Sequence, residues 1–237
     1  MSNSIYTALN RQQGLAKELS IVANNLANTS TTGFKTERAI FAEYLVATGE
    51  SSPSLSMGGL VARNFNMSAG ALEPTGGQFD LAIQGDGFFS IETPQGQMLT
   101  RAGHFQLSEE GQLVDARGNG VLNAGGGAIQ IPSEAASLSI SADGTISADG
   151  QLIEQVGVFL PNGDLSRVSG TYFTSNGGVQ ATETATIIQG ALEASNTSPV
   201  AEMARMIEVQ RAYESGQNLL DSEEKRITQL ISALRER

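Results

Sequence analysis

Apolar or small side chains recur at Ile5, Ala8, Leu15, Leu19, Val22 and Leu26, a three-four spacing broken only at Gln12. Leu9, Ala16 and Ala23 widen the stripe. The spacing predicts an amphipathic helix of about 25 residues, roughly 38 Å long. Gly14 weakens it by about 1 kcal/mol relative to alanine. Near the other end, Ser198 followed by Pro199 reads as an N-cap with proline at the first helical position. A second seam then runs Met206, Val209, Tyr213, Gly216, Leu220, Glu223, Ile227, Leu230 and Leu234, alternating three and four throughout. It predicts a helix of about 35 residues, roughly 52 Å long. A small β domain cannot cover both stripes, so the terminal helices are expected to pair with each other, with neighbouring copies, or both; the fold class expected is α+β, with long N- and C-terminal helices pairing as a coiled-coil-like rod and an antiparallel β domain central in the chain. Gln12, Gly216 and Glu223 interrupt the seams and predict contacts with more than one partner.

The period changes to two between the helices. Phe79, Leu81 and Ile83 alternate, the chain turns at Gly85-Asp86-Gly87, and Phe89 and Ile91 resume the pattern. Turn signals follow at Glu110-Gly111, Asp143-Gly144, Asp149-Gly150 and Asn162-Gly163, which predicts short antiparallel strands in a barrel or sandwich. The stretch 47–78 is rich in serine, glycine and small residues and has no sustained period. The domain reading is therefore a discontinuous helical domain over 1–35 and 196–237, an extended connector over 36–78 and a β-rich outer domain over 79–195.

The segment ANNLANTSTTGFK, residues 23–35, gathers Asn24, Asn25 and Asn28 where the first helix should stop. Asparagine amides compete for backbone groups inside a helix and serve well at its end. Gly33 offers a position that tolerates positive φ, and Phe34 can fold back on an apolar surface.

Composition narrows the chemistry. Among 237 residues there are 27 glycines, 5% aromatics and no tryptophan or cysteine, which argues for many turns and against an aromatic-lined ligand pocket. Without cysteine, disulfides, thiol catalysis and thiolate metal sites are excluded together. Net charge is −11, with the excess in the middle: 46–189 carries four bases and fourteen acids. Such a surface repels phosphate backbones, so no nucleic-acid partner is expected. No window suits a cleaved signal peptide or membrane insertion. The single histidine, His104, offers no metal cluster. GDGFF is better explained by a hairpin than by a nucleotide fingerprint, and Asp86, Asp143 and Asp149 by turns rather than a calcium loop. Asn28-Thr29-Ser30 and Asn196-Thr197-Ser198 read as caps. No catalytic residue, cofactor or metal site is expected.

Three blocks together resemble the flagellar rod and hook axial protein family: ANNLANTSTTGFK, the central DLAIQGDGFFSI with TRAGHFQLSEEGQLVD, and QGALEASNTSPVAEMARMIEVQRAYE. Within it, the short length and the start SIYTALN are most similar to the proximal rod members, with the distal rod as the alternative. The resemblance implies a non-enzymatic structural subunit in the periplasmic rod of a bacterial flagellar basal body. It also implies export through the flagellar type III apparatus, and partners that are other rod proteins and copies of itself. The resemblance places Asn24, Asn25, Asn28, Gly33 and Phe34 in a packed subunit wall, and the two helical seams add Ile5, Leu15, Leu19, Val22 and Leu26, and Met206, Val209, Tyr213, Leu220, Ile227, Leu230 and Leu234, to the expected assembly interface. There, short amides would bond across neighbouring subunits.

Overall fold

The structure, a computed structural model, describes residues 3–46, 55–132, 137–182 and 184–235, with side chains described for 7–42 and, within those ranges, from 62 onward. It is α+β, with mainly antiparallel strands between an N-terminal and a C-terminal helix. The chain divides into two compact units, one of 1–28, 36–66 and 197–237, the other of 29–35 and 67–196.

In the first unit, helix α1 spans Asn3–Ala27. Its end is closed by Asn28, whose backbone N–H donates to the Asn25 carbonyl at 3.1 Å and whose side-chain amide donates to the Asn24 carbonyl at 2.8 Å. Both bonds occupy carbonyls that a helix end leaves open. Helix α2, Pro199–Arg235, starts where Ser198 was expected to cap it. The Glu202 N–H reaches the Ser198 carbonyl at 3.0 Å, and the Ala201 N–H reaches its hydroxyl at 3.5 Å.

Where an extended connector was expected over 36–78, two strands pair instead. β1, Glu37–Val46, and β2, Leu55–Phe65, form an antiparallel ladder from Glu37 opposite Phe65 to Val46 opposite Leu55, with a bulge between Ile40 and Phe41. Gly58 and Gly59 in β2 interrupt the side-chain alternation that signals a strand, while the backbone still pairs. The connector's residues 47–54 lie outside the described residues. β1 also comes close to α1, because a Cβ at Gly14 would sit 2.9 Å from the Phe41 ring. The glycine that weakens the helix is what makes room for that ring.

In the second unit, the strand Phe88–Thr93 is the hub. It pairs with Gly96–Thr100, Gly120–Val121 and Val158–Pro161 in a sheet that is nine-stranded among the described residues. Leu138–Ile140, Thr145–Ala148 and Gln151–Gln155 form a three-stranded sheet. Two-stranded ladders join Thr186–Gln189 to Leu81–Gln84, and Ala191–Glu193 to Leu72–Pro74. Successive side chains leave a strand on opposite faces. Phe89 and Ile91 accordingly join a buried core with Leu81, Ile83, Leu113, Val121, Ile129 and Ile146, while Phe88 meets Phe173, with ring centroids 5.9 Å apart.

Candidate assembly surface and its buried supports

The helices of the first unit run side by side in opposite order, and polar residues mark their contact. Asn25 is fully buried: its amide nitrogen donates to the Glu37 carbonyl at 2.8 Å and to Glu202 Oε2 at 3.1 Å, and its oxygen accepts the Glu37 N–H at 3.0 Å. The side chain thus stands in for a strand neighbour at the start of β1. Glu202 also meets Arg38 at 3.1 Å. Farther along, Glu18 accepts two bonds from Arg205, at 2.6 and 3.1 Å. Next comes Gln12, whose Nε2 donates to the Tyr213 carbonyl at 2.9 Å. A Cβ on Gly216 would lie 2.2 Å from that nitrogen. The two interruptions in the predicted seams therefore meet each other, one supplying the amide and the other the space for it.

The second unit holds a buried ionic cluster that sequence spacing did not reveal. Glu193 receives Lys35 Nζ on Oε1 at 2.5 Å, the Gly70 N–H on the same oxygen at 3.0 Å, and Arg101 Nη1 on Oε2 at 3.2 Å. All three charged side chains are at most 4% exposed. Lys35 also donates to the Ser68 carbonyl, and Arg101 to the carbonyls of Ile83 and Gly85. Burial is the strongest influence on Lys35 and lowers its pKa from the ordinary value, against the opposing pull of Glu193. Gly33, at φ +69°, donates to the Glu193 carbonyl at 2.7 Å, and a Cβ there would lie 2.3 Å from the backbone at Arg101 and Ala102. Phe34 is fully buried beneath the Arg167 guanidinium, 4.2 Å from its ring centroid.

The seventeen expected interface residues thus fall into groups. Asn25, Gly33 and Phe34 have partners within the chain. Asn28 caps α1 at the carbonyl of Asn24, which is itself exposed. Val22 and Val209 are buried, and Leu15, Leu19, Leu26, Met206, Tyr213, Leu220 and Ile227 are half-buried. Leu230 and Leu234 are 54% and 75% exposed, and Val200, Met203, Ile207, Leu219 and Ile231 on α2 are open as well. Ile5 lies in α1, and its side chain is outside those described.

A groove of about 830 Å³ lies along the helix pair, lined among others by Ala8, Leu15, Ala212 and Leu219 with Arg11 and Asn218. The acceptor Gln12 Oε1, on a residue 5% exposed, has no hydrogen-bond partner among the described residues. In the second unit, His104 is exposed and its Nδ1 lies 2.7 Å from Asp80 Oδ1. Among the described residues no group of three or more histidine, aspartate or glutamate side chains is placed to hold a metal ion, and no helix is long and apolar enough to cross a membrane.

Three family descriptions match successive parts of this chain. "Flagella basal body rod protein" matches residues 5–35, "Flagellar hook protein FlgE/F/G D1 domain" matches 82–148, and "Flagellar basal body rod FlgEFG protein C-terminal" matches 188–234. The flagellar basal-body rod protein FlgF of Caulobacter vibrioides is 39% identical over 237 residues, covering 94% of this chain and 94% of that protein. FlgF of Mesorhizobium japonicum is 36% identical over 91% of this chain and 90% of that protein. The rod protein FlgG of Bacillus subtilis is 31% identical over 99% of this chain and 100% of that protein.

Proposed function

The chain belongs to the flagellar basal-body rod protein family, and from that membership we propose that it is a structural subunit of the proximal rod, assembling helically through its terminal helices to pass torque from motor to hook and filament. The observation that carries the reading is the 39% identity to a FlgF protein across 94% of both chains. The helical unit supports it physically. Large apolar side chains stand open along α2 from Val200 to Leu234, a pattern that marks a surface completed by other chains. Coiled-coil-like pairing of α1 and α2 would stiffen the subunit, and repeated contacts would spread the load. Partners in this reading are copies of the same chain and other proximal and distal rod proteins, with delivery through the flagellar type III export apparatus. A chain without cysteine reaches an oxidising compartment with no thiol to mispair.

The FlgG of Bacillus subtilis, matched over 99% of this chain, favours a distal-rod subunit as the second reading. Deleting the gene and imaging purified basal bodies, with a complemented strain as control, separates the two. A rod that stops at its earliest segment, with no hook, is the expected result. A finished proximal segment without its continuation would assign the chain to the distal rod, and intact flagella would reject both.

A further inference from the structure

We propose that Asn162 is a self-modification site, at which the folded chain converts an asparagine to aspartate and isoaspartate through its own backbone. Three asparagines precede a glycine in the sequence: Asn119, Asn162 and Asn176. Glycine has no side chain to shield its backbone nitrogen, so all three pairs carry the local chemistry for deamidation. At Asn162 the Gly163 nitrogen loses its proton and attacks Cγ, the bond from Cγ to the amide nitrogen breaks, and ammonia leaves. One water molecule then opens the cyclic imide at either carbonyl. In sum, asparagine and water give aspartate or isoaspartate and ammonia, with no change of oxidation state.

Two conditions decide which pair reacts: the glycine N–H must be open to deprotonation, and the amide must be free to swing onto it. Asn119 fails both. Its Nδ2 lies 3.3 and 3.1 Å from the two Asp115 carboxylate oxygens and 3.3 Å from the Tyr172 hydroxyl, and Gly120 is buried in a strand opposite Val114 and Glu92. Asn176 is exposed, but its Oδ1 accepts the Asp164 N–H at 2.9 Å, which holds the amide against the neighbouring turn. Asn162 meets both conditions. Asn162 and Gly163 are exposed, and among the described residues neither the Asn162 amide nor the Gly163 N–H has a hydrogen-bond partner. The fold also demands the glycine, since Gly163 stands at φ +85° and a Cβ there would lie 2.4 Å from Asn176 Oδ1.

The main chain of Asn162 is held while its side chain is free. Its N–H donates to the Gly178 carbonyl at 2.9 Å, and its carbonyl accepts the Ser175 hydroxyl. Conversion acts on both. It adds a carboxylate two residues from Asp164, in a unit whose sequence carries four basic and fourteen acidic side chains. In isoaspartate the main chain runs through the former side chain and is one methylene longer, so these two bonds cannot both keep their geometry. The ladder of Val158–Pro161 on Val179–Ala181, which ends beside this turn with Pro161 opposite Val179, therefore loosens as the folded chain ages.

The test follows the freshly purified full-length chain over time at mildly alkaline pH. Peptides are mapped by mass spectrometry, and isoaspartate is labelled with the methyltransferase that recognises it. Conversion at Asn162 should outpace that at Asn176 by about fivefold, the factor that one hydrogen bond is worth in a rate, with Asn119 the slowest. In the same chain unfolded in guanidinium chloride the three should convert at similar rates, because each is followed by glycine. An Asn162 that converts no faster than Asn176 or Asn119, or the same ranking after unfolding, overturns the inference. Asn162→Gln, whose longer side chain must close a larger ring, should remove most of the acidic form that isoelectric focusing detects in the aged chain. An acidic form that grows at the parental rate in this exposed-site variant would overturn the inference as well.

Discussion

The two units of this chain solve the problem of burial in opposite ways. The β unit completes its own core: Leu81, Phe89, Ile91, Leu113, Val121 and Ile146 are at or near zero exposure, and its buried ionic cluster holds Glu193 bonded to both Lys35 and Arg101. Among its described side chains the helical unit buries few large apolar residues, Ile21, Val22, Phe65 and Val209 among them, and marks the helix contact with Gln12, Glu18, Asn25, Glu202 and Arg205. It leaves Leu219, Leu230, Ile231 and Leu234 open. Buried polar contacts fix register more surely than they add stability. In the assembly reading proposed above, a unit that specifies its pairing with polar groups and leaves large apolar side chains of α2 open is finished by neighbours, whereas the β unit fills its own core.

The sharpest way to break that contrast is to remove the central acid from each unit. Glu193→Ala strands Lys35 and Arg101, both buried, and should cost the β unit about 3–5 kcal/mol. Glu202→Ala deprives only neutral Asn25 and the half-exposed Arg38, which regains water, so about 1–2 kcal/mol is expected. Segment-resolved hydrogen exchange on the full chain reads both effects. Equal losses, or losses shared by both units whichever acid is removed, would mean that the units are not energetically distinct.

A second contrast lies in pH dependence. In the β unit the Tyr172 hydroxyl donates to Asp115 Oδ2, while the Arg117 and Asn119 N–H groups reach Asp115 Oδ1 at 2.8 and 2.9 Å. Burial pushes Asp115 up, but these bonds outweigh it and hold the carboxyl below its ordinary value. Burial and the bond to Asp115 push Tyr172 up to about 12. A depressed acid stabilises above its unfolded value, about 3.9, and that contribution is lost as pH falls through the folded value. A raised phenol stabilises below its unfolded value, about 10, and that contribution is lost as pH rises to about 12. Tyr172→Phe should therefore remove the alkaline loss between about 10 and 12 in denaturation of the β unit and leave exchange in the helices unchanged. A wild-type alkaline slope that persists in Tyr172→Phe would assign it to another group.

What the sequence disclosed follows the same division. Both helices and their ends were legible, because period and caps are local signals: Ser198-Pro199 starts α2, and Asn28 closes α1. The alternation of Phe79, Leu81 and Ile83 marked the β unit. The hairpin of β1 and β2 was hidden, since Gly58 and Gly59 break the pattern while backbone pairing persists. The ionic cluster was invisible, because Lys35, Arg101 and Glu193 lie far apart in the chain and nothing local announces that they meet. The asparagine-rich signature was readable as a helix end. Its second use, with Asn25 bonding to Glu37 as a strand would, depends on a pairing formed only in the fold.

The smallest effect concerns the paired flaws in the seams. Replacing Gly216 by alanine gains about 1 kcal/mol of helix propensity. The new methyl would meet the Gln12 amide, the far end of a flexible side chain, 2.2 Å from where its Cβ would stand. Moving that amide forfeits its bond to the Tyr213 carbonyl, worth about 1 kcal/mol. The two terms oppose each other, so the stability of the isolated full chain should change by less than about 1 kcal/mol in thermal denaturation followed by helical circular dichroism. Register is a separate matter. If Gln12 and Gly216 fix the alignment of α1 on α2, the alanine variant should be nearly as stable as the parent yet assemble poorly. Normal assembly at normal stability would reduce the Gln12–Gly216 contact to local packing and move the register constraint to Glu18–Arg205 and Asn25–Glu202.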